Sequence, residues 1–158
     1  MREDMLRHAA MKLRELQARI DSGQVKERFD LDHWWAKVDY LDNGEYMCGT
    51  AGCFVGWACH ENWFKDFGQE IALKKRPLKH ARNWDLMPAF NGLVCSNNSE
   101  VEEKLADMFG FSYSGTVWAI IYSENYATTT NDQITPVMVA ERIEELIEVG
   151  EDEFCERY

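Results

Sequence analysis

The sequence predicts a mainly α-helical protein: a single helical domain of five or six helices over residues 1–150, followed by an acidic tail at 151–158. Three observations carry this expectation. Apolar residues recur at helical spacing near both ends of the chain, and several segments are bracketed by residues that start and stop helices. The 158 residues are 46% hydrophobic and 13% aromatic, which is enough apolar volume for one core.

Met5, Leu6, Ala9, Leu13, Leu16 and Ile20 fall at mostly three- and four-residue steps, with Gly23 beyond them, and predict an amphipathic first helix. The segment "RFDLDHWWAKVDYLDNGEYM" carries a turn signal at Asp42–Gly44 and admits either a short helix from Asp30 or a small hairpin near residues 38–48. Thr50 is a good N-cap, so a helix is expected from Ala51 to about Phe64. "KKRPLKHARNWDLMPAFNG", interrupted by Pro77, Pro88 and Gly92, reads as a long irregular connection. Ser99 followed three residues later by Glu102 has the capping-box pattern, and Gly110 stops that helix. "SYSGTVWAIIYSENY" reads as a second short helix packed on it. Thr135 as N-cap, Pro136 at the first helical position and Gly150 past the last turn bracket a further helix with Val139, Ile143, Leu146 and Ile147 on one face. The closing "EDEFCERY" reads as a frayed acidic tail, unless Phe154 tacks it onto the body.

Composition narrows the function classes. Net charge is −11, and it is concentrated: residues 95–158 hold 3 basic and 14 acidic side chains, whereas residues 65–94 hold 6 basic and 3 acidic. An acidic surface repels phosphate backbones, so no direct nucleic-acid binding is expected outside the short basic segment, and basic partners are favoured. "LADMFGFSYSGTVWAI" has the spacing of a helix-turn-helix, yet Leu105 to Ala140 contains no basic side chain, so it reads as a packed helical hairpin. No apolar run approaches the length of a membrane span, and "MREDMLRHAAMKLRELQARI" is charged rather than signal-like. A soluble cytoplasmic protein with no membrane contact is expected. Five cysteines without the spacing of a disulfide framework then read mostly as free, buried thiols.

The densest chemistry lies in "CGTAGCFVGWACH", Cys48 to His60. Gly52 and Gly56, four apart, would leave a shallow groove on a helix and call for close packing. Cys48 and Cys53 near a helix N-terminus are candidate nucleophiles, because the dipole favours a thiolate. The base would come from His33, His60 or His80, but His60 lies two turns beyond Cys53, about 10 Å along the axis. Cys48, Cys53, Cys59 and His60 lack the paired spacing of structural zinc ligands, so no metal is expected. Gly49, Thr50 and Gly52 at a helix N-terminus, with Lys74, Lys75, Arg76, Lys79 and Arg82 folding over them, would form a cradle for a small anion such as a nucleotide. The P-loop pattern is absent, and no cofactor is expected.

"RFDLDHWW" ahead of "CGTAGCFVGWA", then "FGFS", then "ITPVMVAERIEELI" resembles a group of small uncharacterised phage and bacterial proteins. They share an FD[ML]xxW entry, a CGTxxCxxGWA core, an LGLS-like turn and a TPxxVAxRI helix. The resemblance covers roughly residues 28–148 and is most specific at Cys48, Gly49, Thr50, Cys53, Gly56, Trp57 and Ala58. It implies a phage or bacterial cytoplasmic origin and assigns those residues no role. Phe109 and Phe111 replace the two leucines of the turn, which should alter packing more than function.

The functional expectation is a non-enzymatic binding protein that meets a basic surface on a host protein, with Glu141, Glu144, Glu145 and Glu148 as contact residues, a contact suited to counteracting host defence. The alternative is a sequestering protein for a small anion, or a cysteine-dependent enzyme, built on Cys48–His60.

Overall fold

The structure, a computed structural model, describes residues 1–29, 31, 36–38, 49–75, 86–126 and 134–158. Six α-helices lie among them, so the mainly helical expectation holds, together with two small three-stranded sheets.

Helix α1 (Glu3–Asp21) buries Met5, Leu6, Ala9, Ala10, Leu13 and Leu16, the face read from the sequence, and ends where Gly23 takes a positive φ. Its main partner is α5 (Pro136–Val149), which buries Val139, Ala140, Ile143 and Leu146. Thr135 Oγ1 accepts the Met138 amide at 3.3 Å and Pro136 occupies the first turn, so this start forms as expected. Arg14 of α1 clamps Glu144 of α5 through Nε and a terminal nitrogen, at 3.0 and 2.6 Å.

The first sheet joins β1 (Arg28–Phe29), β2 (Ala36–Val38) and β3 (Gly49–Gly52) in the order β1-β3-β2. β3 is central, parallel to β1 and antiparallel to β2, with Val38 opposite Gly49. That pairing favours the hairpin alternative; the Asp42–Gly44 turn itself lies outside the described residues. It also overturns the expected helix start. Thr50 is a strand residue, and helix α2 (Phe54–Glu61) is capped instead by Cys53, whose Sγ accepts the Gly56 amide at 3.4 Å. The helix stops at Glu61 because Asn62 turns left-handed.

The expected irregular connection contains a second sheet: β4 (Ile71–Lys75), β5 (Leu86–Phe90) and β6 (Leu93–Val94), antiparallel in that order. Pro88 sits inside β5 and contributes only its carbonyl, which accepts the Cys95 amide at 3.0 Å. Asn91 and Gly92, both at positive φ, make the two-residue turn into β6.

Helix α3 (Asn98–Phe109) also begins differently from the expectation. Asn97, not Ser99, is the cap: its Oδ1 accepts the Glu100 amide at 2.9 Å, while the Glu100 carboxylate accepts the Ser96 amide at 2.7 Å. Gly110 closes the helix as predicted, and Phe109 is buried with its ring edge-on to Phe64. Helix α4 (Ser114–Ile121) packs against α3 as the helical hairpin read from the sequence. Residues 151–157 are not frayed: they form α6 (Glu151–Arg157), with Phe154 fully buried.

Core truncation should therefore be costly where α1 meets α5. Ile143→Ala is expected to lower unfolding free energy by about 3 kcal/mol in urea titration, against less than about 0.5 kcal/mol for the exposed Met11→Ala.

Candidate functional site

The two candidate regions separate in space and in chemistry. In the segment rich in cysteine and glycine, Gly49, Thr50 and Gly52 belong to β3, which is laddered on both sides, so they do not form a helix N-terminus with open amides. Gly52 and Gly56 consequently do not share a helix face. Lys74 and Lys75 are exposed at the end of β4, in the other sheet. Cys48, Arg76, Lys79, Arg82, His33 and His80 lie outside the described residues. The helix-entrance premise of the anion cradle is thus replaced by a strand.

Cys53 and Cys59 are both buried, whereas His60 points outward with its ring edge-on to Trp57 at 6.1 Å. Burial, reinforced by the neighbouring Cys53 and Cys95 thiols, pushes the Cys59 thiol far above the ordinary range. Cys95 is pushed up to about 11 by burial and by Glu100. No group of three or more His, Cys, Asp or Glu that could hold a metal ion is found among the described residues. Residues 53–59 of the segment are buried in the core. Glu61, at the end of α2, accepts from Trp63 Nε1 at 2.9 Å and pairs with Arg19 of α1 at 2.8 Å, while His8 Nε2 reaches the Trp63 carbonyl at 2.8 Å.

The second region is the acidic end of the chain, and its centre is α4. This helix has no acidic residue in its first turn, no basic residue in its last and no side-chain cap of its own. Glu151 of α6 supplies the missing anion: its carboxylate accepts the Ser112 and Tyr113 amides at 2.9 and 3.0 Å and the Thr116 hydroxyl at 2.8 Å. Arg142 of α5 supplies the cation, donating to the Ala119 and Asn125 carbonyls at 3.2 and 3.0 Å. The guanidinium is held between the rings of Tyr126 and Tyr158, at 4.5 and 3.8 Å from their centroids. Burial pushes the Glu151 carboxyl up, but its hydrogen bonds outweigh that and hold it below the usual carboxylate range.

The four glutamates named from the sequence divide. Glu144 is taken by Arg14, which lowers its carboxyl. Glu145 binds Arg157 at 2.7 Å and Tyr158 Oη at 2.8 Å, and these bonds outweigh its burial and lower it too. Glu141 and Glu148 are exposed and have no ion-pair partner among the described residues; the same holds for Glu103, Asp107, Asp152 and Glu156. Sequence reasoning missed Arg142 and Glu151, whose roles depend on a helix distant in sequence. It also missed the internal use of Arg157.

Fold and site together define a mainly helical protein with a carboxylate-rich helical end, in which no helix among the described residues is long and apolar enough to cross a membrane. No protein-family model, no curated protein and no solved structure matches the chain.

Two outcomes follow from these environments. In a Cys48→Ser background, a native thiol titration should show one fast equivalent, Cys155, with Cys53, Cys59 and Cys95 reacting at comparable rates only in denaturant. Glu151→Gln should cost about 1 kcal/mol at neutral pH. The Glu151 carboxyl is lowered in the folded state, so its contribution is complete above the unfolded value of about 4.3 and fades as pH falls through the folded value. The gap between wild type and variant in pH-dependent thermal melts should close on that acid side.

Proposed function

We propose that this chain is a non-enzymatic binding protein, carried on one compact helical domain, that recognises a basic surface of a host protein through α5, α6 and the outer side of α3. The supporting observation is the fate of its own cations. Arg142 is engaged by the Ala119 and Asn125 carbonyls and Arg157 by Glu145 and Glu153, which leaves Lys104 as the remaining cation of residues 95–158. The exposed carboxylates of Glu103, Asp107, Glu141, Glu148, Asp152 and Glu156 have no ion-pair partner among the described residues, Glu141 feeling only the nearby charge of Arg14. Such a surface steers a basic partner and repels nucleic acid. The resemblance to phage and bacterial proteins supports an encounter in a bacterial cytoplasm, where masking a host nucleic-acid-binding protein would counteract defence.

Binding is favoured over catalysis by the direction of the thiol, phenol and carboxyl shifts among the described residues. Cys59, Cys95, Tyr122 and Tyr126 are pushed up, all four starting from values already well above neutrality, and Glu144, Glu145 and Glu151 are pushed down. Acid–base and nucleophilic chemistry at neutral pH needs shifts in the opposite sense.

A partner captured from a bacterial lysate should bind at least tenfold more weakly at about 500 mM than at about 50 mM salt, measured by calorimetry with the purified pair. Glu141→Gln/Glu148→Gln should weaken it several-fold at low salt only. An affinity indifferent to both salt and these substitutions would exclude recognition through the acidic surface.

A further inference from the structure

We propose that Gly150 is a hinge and α6 an exchangeable strap, docked on its own chain in the monomer and on a second copy of the chain in a domain-swapped dimer. The proposal does not depend on what the acidic surface binds.

The reversal between α5 and α6 is made by one residue. Val149 ends α5, Glu151 begins α6, and Gly150 between them adopts φ 82° and ψ 163°, a conformation open essentially to glycine alone. A Cβ built on Gly150 would meet nothing within 4 Å, so only the backbone conformation, and no neighbour, calls for glycine there. Both flanks are already in helical register: the Gly150 amide donates to the Leu146 carbonyl and the Phe154 amide to the Gly150 carbonyl, each at 3.0 Å. The amides of Glu151, Asp152 and Glu153 open α6 and have no acceptor within it. Rotation at Gly150 alone would give these three amides the carbonyls of Ile147, Glu148 and Val149, turning α5 and α6 into one continuous helix.

That helix would place Glu144, Glu148 and Asp152 four apart on one face, and their repulsion opposes straightening. The gain of three hydrogen bonds and the carboxylate repulsion act in opposite directions on the hinge. What α6 loses on leaving its own chain is specific: the buried Phe154 ring, the Glu151 cap on α4 and the Tyr158 ring over Arg142. A second copy with its own α6 withdrawn presents the identical seat, so a swapped dimer regains every one of these contacts at the cost of association and of the carboxylate repulsion along the straightened helix. A reversal with no loop residues beyond the hinge itself is the geometry that favours exchange.

Light scattering after gel filtration tests this on the full chain between about 10 μM and about 1 mM. Wild type is expected as a monomer at the low end, with a dimer fraction that grows with concentration. Gly150→Ala, which disfavours the reversal and favours the continuous helix, should be mainly dimeric, with the Ser112 and Tyr113 amides still protected from hydrogen exchange by Glu151 in trans. Adding Phe154→Ala to Gly150→Ala should return monomer. A monomeric Gly150→Ala protein, whether α6 is docked or loose, overturns the proposal, as does a dimer that survives Phe154→Ala. Should Gly150→Ala not fold, a Gly-Ser-Gly insertion after Gly150 decides: it should lower the dimer fraction at the high concentration at least tenfold relative to wild type, and equal fractions overturn the hinge.

Discussion

A helix that cannot complete its own ends organises the C-terminal half of this protein. Helix α4, "SGTVWAII", is apolar almost all round and carries no charge. Its first amides and last carbonyls, which every helix leaves without partners, would be costly to bury unmet. Glu151 of α6 binds the Ser112 and Tyr113 amides that lead into the helix and the Thr116 hydroxyl in its first turn, and Arg142 of α5 meets the Ala119 carbonyl near its end, each with the sign that the helix dipole favours. Because each of these groups lies on a different helix, satisfying α4 fixes where α5 and α6 must lie. Tyr126 and Tyr158 then close over Arg142, and Tyr122, whose hydroxyl burial and Glu102 push up to about 12, ties the end of α4 to α3 through a 2.7 Å bond to Glu102.

The same arrangement explains the surface charge. Residues 95–158 have few cations to distribute, and the fold uses Arg142 on carbonyls and Arg157 on Glu145 and Glu153. Of the two, only Arg157 offsets outward charge, at Glu145 and Glu153, and Lys104 is the one other cation of this segment. The acidity of this end therefore results from how the helices are held together as well as from composition, and sequence counts alone underestimate how segregated the charge becomes.

What was legible in the sequence follows the range of the interactions that decide each element. α1 and α5 are set by apolar spacing and by local caps, so Leu13, Thr135 and Gly150 announce them directly. The second sheet was hidden by Pro88, which argues against a strand interior until the fold shows that only its carbonyl is used; Asn91-Gly92 was the signal that would have found it. The start of α2 moved from Thr50 to Cys53 because β3 pairing claimed the residues ahead of it, a contact between segments distant in sequence. The start of α3 lay with Asn97 and Glu100, a capping pair two residues ahead of the one chosen. Of the α5 glutamates named from the sequence, Glu141, Glu144 and Glu148 are exposed and Glu145 is half-buried, and their division into paired and unpaired groups required Arg14 and Arg157 in three dimensions.

The cysteines show why residue density is a poor guide to chemistry here. Cys53 occupies a helix N-cap, the position at which a dipole would promote a thiolate, yet its sulfur is spent on the Gly56 amide within a buried shell. Cys59 and Cys95 are buried as well, and the neighbouring Cys53 and Cys95 thiols raise the cost of ionising Cys59. Small apolar residues that pack closely between α2 and its surroundings would serve the same purpose, and buried cysteine is chemically such a residue. The reactive appearance of "CGTAGCFVGWACH" thus fits a structural role, whereas Glu103, Asp107, Glu141, Glu148, Asp152 and Glu156 are exposed on α3, α5 and α6, where a basic surface could reach them.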